Sequence, residues 1–145
     1  MTIVVGFDDS PHGRAAVSEG ERLALQRDRH LLIVRYIAHS AGDSFTRVKA
    51  ERAEVEHIES EIEGLRARLT DRGLTATVRI VHGLAHGEAR ALLDVCEAVD
   101  AELLIIGLRR RSRVGKMLMG SVALEVLVHA DMPVLTVKSP PRRRR

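Results

Sequence analysis

The order of apolar and polar residues along the chain alternates between two patterns. Five short segments are apolar and rich in β-branched residues, as buried strands are. Between them, apolar residues recur every three or four positions, as on one face of a helix. The pattern predicts strands over 2–7, 31–38, 75–82, 101–108 and 134–138, and helices over 11–28, 43–72, 88–99 and 120–130. Such alternation predicts one α/β domain with a parallel, doubly wound sheet and helices on both faces.

The ends of several predicted elements carry their own signals. Ser10 followed by Pro11 is a favoured N-cap and first residue of a helix. Gly73 stands where the helix over 43–72 would end in a left-handed residue. That helix has a single apolar stripe, which favours a helix lying on a sheet over a coiled coil. The segment over 75–82 alternates apolar and polar residues more than the other strands, as an edge strand does.

The carboxyl ends of the strands are where a sheet of this kind binds ligands. Asp8 directly follows the first strand, and it would lie near the loop after the fourth strand if the first strand is central. Its carboxylate can accept hydrogen bonds from a ribose. Gly120, Ser121 and Val122 begin the last helix, where free backbone N–H groups and the helix dipole favour a phosphate. The two groups together indicate a nucleotide-binding crevice.

The loop after the fourth strand is strongly basic. It carries four arginines and a lysine between Arg109 and Lys116. It is not a Walker-type phosphate loop, which would need glycine in place of Arg110 and serine or threonine in place of Met117. Two interpretations stay open. The side chains form charge-assisted contacts to phosphate, or the cluster is a solvated connection between a strand and a helix.

The composition is that of a soluble globular protein. The chain has 145 residues, of which 45% are apolar and 30% charged. Its net charge of +3 depends on Arg142 to Arg145, because the rest of the chain sums to −1. These arginines follow two prolines, so we expect a domain over 1–138 and a disordered basic tail over 139–145. With three aromatic residues, base-stacking surface is scarce, and no specific nucleic-acid partner is expected.

Several other classes of function lack support. Cys96 is the only cysteine, and its position on an apolar helical face is typical of core packing. No apolar run approaches the roughly 18 residues of a membrane span, and the first residues do not form a basic leader. We therefore expect a cytoplasmic protein without a membrane partner. No nucleophile–base pattern, paired acid–base carboxylates or metal motif is evident, so an enzyme is not expected.

Some acidic and histidine residues suggest rival hypotheses. Asp8 and Asp9 could be the acidic pair of a phospho-receiver domain, but such a domain needs an acceptor aspartate at the end of its third strand, and none stands there. His82 and His86 are expected to be solvated rather than metal-bound, because no further ligands lie nearby in sequence. His12 is expected near the proposed pocket, on the surface of the first helix.

Three stretches of the sequence carry a family resemblance. The start of the chain contains IVVGFDDSPHGRAAV, which is similar to the first strand, acidic turn and helix of a known protein family. The later stretch GLRRRSRVGKMLMGS is similar to a glycine motif, matched here by Gly107 and by Gly120-Ser121. After it, VALEVLVHADMPVLTV is similar to a last helix and strand. On these residues the chain resembles the universal stress protein family over 2–138.

This resemblance implies a sheet ordered 3-2-1-4-5 and a site between strands 1 and 4 for ATP or another adenine nucleotide, with or without Mg²⁺. Asp8 would meet the ribose, and Gly120, Ser121 and Val122 would bind the phosphates. The residues implied around the base and the middle of the nucleotide are Gly6, Phe7, Tyr36, Ile106 and Gly107. The resemblance also implies a homodimer joined through the last strand, Val134 to Lys138.

One residue departs from the family's motif. Arg110 stands where the motif has its middle glycine. If the position needs a positive φ, arginine costs on the order of 1 kcal/mol and obstructs the phosphates. Alternatively, Arg109 and Arg110 bind the phosphates. The function hypotheses are therefore a stress-response regulator that binds an adenine nucleotide, or a homodimeric stress scaffold of the same fold that binds none.

Overall fold

The computed structural model describes residues 1–39, 45–109 and 120–139, with backbone alone for residues 45–51. Five strands and four helices alternate within this part of the chain. In order they are β1 (Thr2–Phe7), α1 (Pro11–Arg27), β2 (His30–His39), α2 (Phe45–Asp71), β3 (Ala76–Leu84), α3 (Glu88–Ala98), β4 (Ala101–Leu108), α4 (Ser121–His129) and β5 (Val134–Lys138). The predicted tail from residue 140 onward lies outside the described residues.

The strands form one parallel sheet in the order β3-β2-β1-β4-β5, so the predicted fold class and strand order are confirmed. β3 is an edge strand, as its alternating pattern predicted. It runs two residues past its predicted end because its ladder with β2 continues to the pair of His39 and Leu84. β1 lies between β2 and β4. The chain continues from β1 to β2 and β3 on one side of it, and β4 and β5 lie on the other side, so the direction in which strands are added reverses at β1.

The side chains of β1 show how the two faces of the sheet are covered. Ile3 and Val5 pack into the core beneath α1 and α2, whereas Val4 packs into the core beneath α3 and α4. All three are fully buried. Successive residues of a strand point to opposite faces, so a strand between two helical layers is apolar throughout. This is why the continuous apolar runs predicted interior strands correctly.

The ends of the helices follow the sequence signals. The Ser10 hydroxyl accepts a hydrogen bond from the N–H of Gly13 at 2.9 Å, and Pro11 is the first residue of α1. Asp28 ends α1 in the left-handed region with a φ of 51°. Gly73 follows α2 with a φ of 71°, which confirms its predicted left-handed role.

A buried carboxylate joins the two helices on one face of the sheet. Glu21 on α1 is 4% exposed. It accepts hydrogen bonds from Arg68 on α2 at 2.9 Å and from Arg72, which directly follows the last residue of α2. The apolar stripe of α2 lies on the sheet, with Ile58 and Ile62 buried, as predicted for a helix packed on a sheet. No helix in the described part of the chain combines the length and apolarity that a bilayer span requires.

Candidate binding crevice

A cavity of about 180 Å³ lies at the carboxyl ends of β1 and β4, beside the first residues of α1, α3 and α4. It includes seven of the residues proposed from the sequence. These are Gly6, Phe7, Asp8, Ile106, Gly107, Gly120 and Val122. The remaining lining residues are His12, Gly13, Glu88, Leu92, Leu108 and Ala123. Residues from both ends of the chain therefore meet at one crevice, as the strand order requires.

Two glycines allow the surrounding elements to approach this crevice closely. A Cβ on Gly107 would lie 2.3 Å from the carbonyl oxygen of His12, so the backbone of α1 rests directly on β4 there. A Cβ on Gly13 would lie 2.2 Å from the carbonyl oxygen of Asp8. The crevice wall thus depends on backbone contacts that any larger residue would displace.

Asp8 presents a partly exposed carboxylate to the crevice. Its Oδ1 accepts hydrogen bonds from the N–H of Ser10 at 3.1 Å and from the Ser10 hydroxyl. Its Oδ2 lies 3.8 Å from Nε2 of His12. The contacts of Oδ1 orient the side chain, while Oδ2 keeps capacity to accept a hydrogen bond from a ligand.

Sequence reasoning placed His12 near the crevice but did not identify Glu88, which also lines it. The expectation that His12 lies on the helix surface is wrong, because its side chain is 17% exposed and lines the cavity. The reason is that its turn of α1 faces β4. Glu88 is the first residue of α3. Burial raises its pKa, as does the negative charge of Asp8, while the positive charge of Arg35 acts in the opposite direction.

The start of α4 forms the opposite side of the crevice. Gly120 is the N-cap residue, with a φ of −58° and no side-chain hydrogen bond. A Cβ placed on it would have no atom of the described residues within 4 Å. Val122 lines the cavity, and Ser121 is exposed at the first position of the helix. The first N–H groups of a helix have no intrahelical acceptor, so this end can bind an anion.

The other proposed residues lie farther from the cavity or outside the described chain. Tyr36 is on β2, and its hydroxyl donates a hydrogen bond to the carbonyl of Leu84 at 2.5 Å. It does not belong to the residues that line the crevice. Arg109 is exposed just beyond β4. Arg110, at the motif's departing position, lies outside the described residues.

A second cavity, of about 320 Å³, lies between α1 and α2 on the other face of the sheet. Asp9 and Glu61 belong to its wall. The hydrogen bond between these two carboxyl groups lowers the pKa of Asp9, and the charge of Arg14 lowers it further. Burial raises the pKa of Glu61, and its hydrogen bond and repulsion with Asp9 raise it further.

Comparison with known proteins gives consistent matches over nearly the whole chain. Residues 1–138 match the model of the universal stress protein family. A universal stress protein of Mycolicibacterium smegmatis is 39% identical over 136 residues, which cover 94% of this chain and 96% of that relative.

Two solved structures with bound nucleotides have the same fold. The universal stress protein from Archaeoglobus fulgidus in complex with dAMP is 21% identical, with a TM-score of 0.64 over 95% of this chain and 98% of that one. A universal stress protein in complex with cAMP is 25% identical, with a TM-score of 0.60 over 97% of this chain and 98% of that one.

Proposed function

Because the chain belongs to the universal stress protein family, we propose that it is a stress-response regulator that binds ATP or a related adenine nucleotide in the crevice between β1 and β4. The observation that carries this proposal is the position of Asp8 and the start of α4 on one cavity. A ribose acceptor and an anion-binding helix terminus stand together there. The dAMP and cAMP complexes of structural relatives add support for the ligand class.

In this proposal, Asp8 binds the sugar. Its Oδ1 is held by Ser10, and its Oδ2 accepts a hydrogen bond from a ribose hydroxyl. Gly6, Phe7 and Ile106 offer backbone and apolar surface beside the sugar and base. The close approach of α1 at Gly107 defines the floor on which the nucleotide lies.

The phosphates occupy the other end of the crevice. The free N–H groups of Ser121 and Val122 and the positive end of the α4 dipole attract them, and Ser121 adds a hydroxyl. Arg109 is exposed just after β4, and its long side chain can carry the guanidinium group to an outer phosphate. Gly120 leaves open space at the helix start, so a phosphate can approach the backbone closely.

The acidic residues of the crevice also fit a bound Mg²⁺ ion. Asp8 and Glu88 both line the cavity, and carboxylate oxygens are the ligands that Mg²⁺ accepts together with phosphate oxygens. Burial raises the pKa of Glu88 and favours its neutral form, so it is the weaker ligand, and Oδ2 of Asp8 would hold an ion only in place of its hydrogen bond to the ribose. When bound, the ion would offset the negative charge of the phosphates beside these carboxyl groups.

We assign binding rather than catalysis to this site. Among the described residues that line the cavity there is no serine, threonine, cysteine or lysine. The described lining therefore offers polar contacts to a ligand but no hydroxyl, thiol or amine nucleophile.

Calorimetry and thermal unfolding with ATP and AMP test the proposal. A nucleotide at 100 times its Kd should stabilise the fold by about 2.7 kcal/mol. Asp8→Ala should weaken binding at least about tenfold, because a charge-assisted hydrogen bond to the ribose is lost. Gly120→Glu should weaken it similarly, by placing a negative charge where the phosphates bind.

Asp94→Ala is the matched control, since Asp94 is an exposed aspartate on α3 outside the crevice. It should bind nucleotide like the unmodified protein. No stabilisation at millimolar ATP, or equal affinities of Asp8→Ala and Asp94→Ala, would favour the scaffold hypothesis instead.

A specific observation also favours self-association through β5. β5 is an edge of the sheet, and Val134, Leu135, Thr136 and Val137 are only partly buried. An apolar edge with unpaired backbone groups is normally covered or paired. We therefore propose a homodimer in which the last strands of two copies meet. This assembly is compatible with nucleotide binding and is also what a nucleotide-free scaffold would use.

A further inference from the structure

We propose that Asp9, His57 and Glu61 form a binding site for a divalent transition-metal ion, with Zn²⁺ as the best match. Each residue offers one ligand atom, and these atoms all lie within 4.8 Å of one another. The cluster lies on the face of the sheet that α1 and α2 cover. None of its three residues lines the proposed nucleotide crevice. The inference is therefore independent of the proposed nucleotide function.

The spacing of the three residues suits chelation of one ion. His57 and Glu61 are four residues apart on α2, so they project from the same face of the helix. Asp9 reaches them from the turn between β1 and α1. Two ligand atoms at 2.0–2.2 Å from one Zn²⁺ can lie at most roughly 4.4 Å apart. Asp9 and His57 are exposed, so their side chains can rotate to bring the ligand atoms within that limit when an ion binds.

The donor set indicates which class of ion fits. One imidazole nitrogen and two carboxylate oxygens match Zn²⁺, and a water can complete its coordination. Mg²⁺ and Ca²⁺ prefer oxygen ligands alone, so the imidazole favours a transition metal. Asp9 and Glu61 supply negative charge for a divalent cation once the ion displaces the proton of the hydrogen bond between them.

The surroundings of the cluster leave room for an ion. Oε2 of Glu61 is shielded from solvent and has no hydrogen-bond partner among the described residues. A cavity of about 320 Å³ lies beside Asp9 and Glu61. Arg14 donates to Oδ1 of Asp9 at 2.8 Å and to the backbone carbonyl of Asp9 at 3.0 Å, and its side chain is 57% exposed. Solvent screens an exposed ion pair of this kind, so it competes weakly with a metal.

Titration with the metal alone tests the site. The protein is freed of metal with a chelator, and Zn²⁺ is added without nucleotide while the heat is recorded. We expect one ion per chain at this site. His57→Ala and Glu61→Gln should each weaken binding at least about tenfold, because each removes one of three ligands. Far-UV circular dichroism checks that both variants remain folded.

Two control variants separate this site from other ways of binding Zn²⁺. Glu63 lies on the same helix, and its exposed side chain is outside the cluster. The Glu63→Gln variant should therefore bind Zn²⁺ like the unmodified protein. His82→Ala removes one member of the exposed pair in which nitrogens of His39 and His82 lie 2.7 Å apart. It should also leave the measured site intact.

The proposal is overturned by any of three results. The first is no saturable binding at about 100 μM Zn²⁺, where a site of micromolar Kd would be full. The second is unchanged affinity in folded His57→Ala and Glu61→Gln. The third is a loss of the site in His82→Ala or Glu63→Gln instead. None of these results bears on the nucleotide proposal, because no nucleotide is present.

Discussion

Gly107 and Gly120 both belong to the glycine motif, but the structure gives them different physical surroundings. Gly107 lies under the first turn of α1, where the carbonyl of His12 would be 2.3 Å from an added Cβ. Gly120 faces open space at the start of α4. The first glycine therefore allows two elements to pack, whereas the second leaves room beside a helix terminus for a ligand.

This difference predicts that substitution by alanine lowers the free energy of unfolding much more at Gly107 than at Gly120. Gly107→Ala should lower the free energy of unfolding by about 1–3 kcal/mol, because the methyl group forces α1 away from β4. Gly120→Ala is the matched control and should change it by less than about 1 kcal/mol, since its φ of −58° suits alanine. Urea unfolding measures both. Equal changes would show that α1 does not rest on β4 as described.

At the scale of elements, the attachment of α2 depends on charge as well as on its apolar stripe. Ile58, Ile62 and Leu69 are buried against the sheet. Glu21 on α1 adds a carboxylate bonded to Arg68 in the last turn of α2 and to Arg72 just after it. Arg68 lies in the last turn of α2 and Arg72 directly follows the helix, and both guanidinium groups reach the same carboxylate on α1.

The buried carboxylate should be more sensitive to loss of its partners than an exposed ion pair. Arg68→Ala combined with Arg72→Ala leaves Glu21 buried and unpaired. We expect a loss of about 2–3 kcal/mol, below the range for fully buried pairs because both arginines are more than half exposed. Arg66→Ala, which removes an exposed pair with Glu63 on the same helix, should cost less than about 1 kcal/mol.

Denaturant unfolding of the two variants measures this difference at neutral pH. A double variant no less stable than Arg66→Ala would mean that the apolar stripe alone attaches α2.

At the scale of the whole molecule, the open edge at β5 is the surface most suited to pairing. The N–H of Leu104 on β4 donates to the carbonyl of Pro133 at 3.0 Å. Because backbone groups alternate sides along a strand, Leu135 and Val137 direct their N–H groups to β4, and Thr136 directs its own to the open edge. Nearby on α4, Leu124 and Val128 are 54% and 66% exposed, which adds apolar surface outside the core.

Thr136→Pro should therefore weaken the proposed homodimer without removing a bond between β4 and β5. Proline lacks the outward N–H and is tolerated on an edge strand. We expect the dimer Kd to rise at least about tenfold, measured by light scattering over a range of concentrations. Thr136→Ser keeps the N–H and should remain dimeric. A folded Thr136→Pro protein that stays dimeric would place the interface elsewhere.

The local pattern was enough to predict the elements and their class. Apolar runs and helical periods depend on neighbours along the chain, and Ser10, Pro11 and Gly73 mark helix ends by their own backbone chemistry. The family resemblance added the strand order. From that order followed the prediction that Asp8 and Gly120 share a crevice, although more than a hundred residues separate them.

What the sequence alone determined is therefore the order and type of the elements and the edge of the sheet where they present polar groups. Tertiary structure decided which side chains meet: it brought Glu88 and His12 to the crevice, turned the Tyr36 hydroxyl toward Leu84, and joined Asp9 to α2. The physical reason is that periodicity reports which face of an element is buried. Contacts between distant side chains depend on how elements cross and how far each extends, which no local pattern specifies.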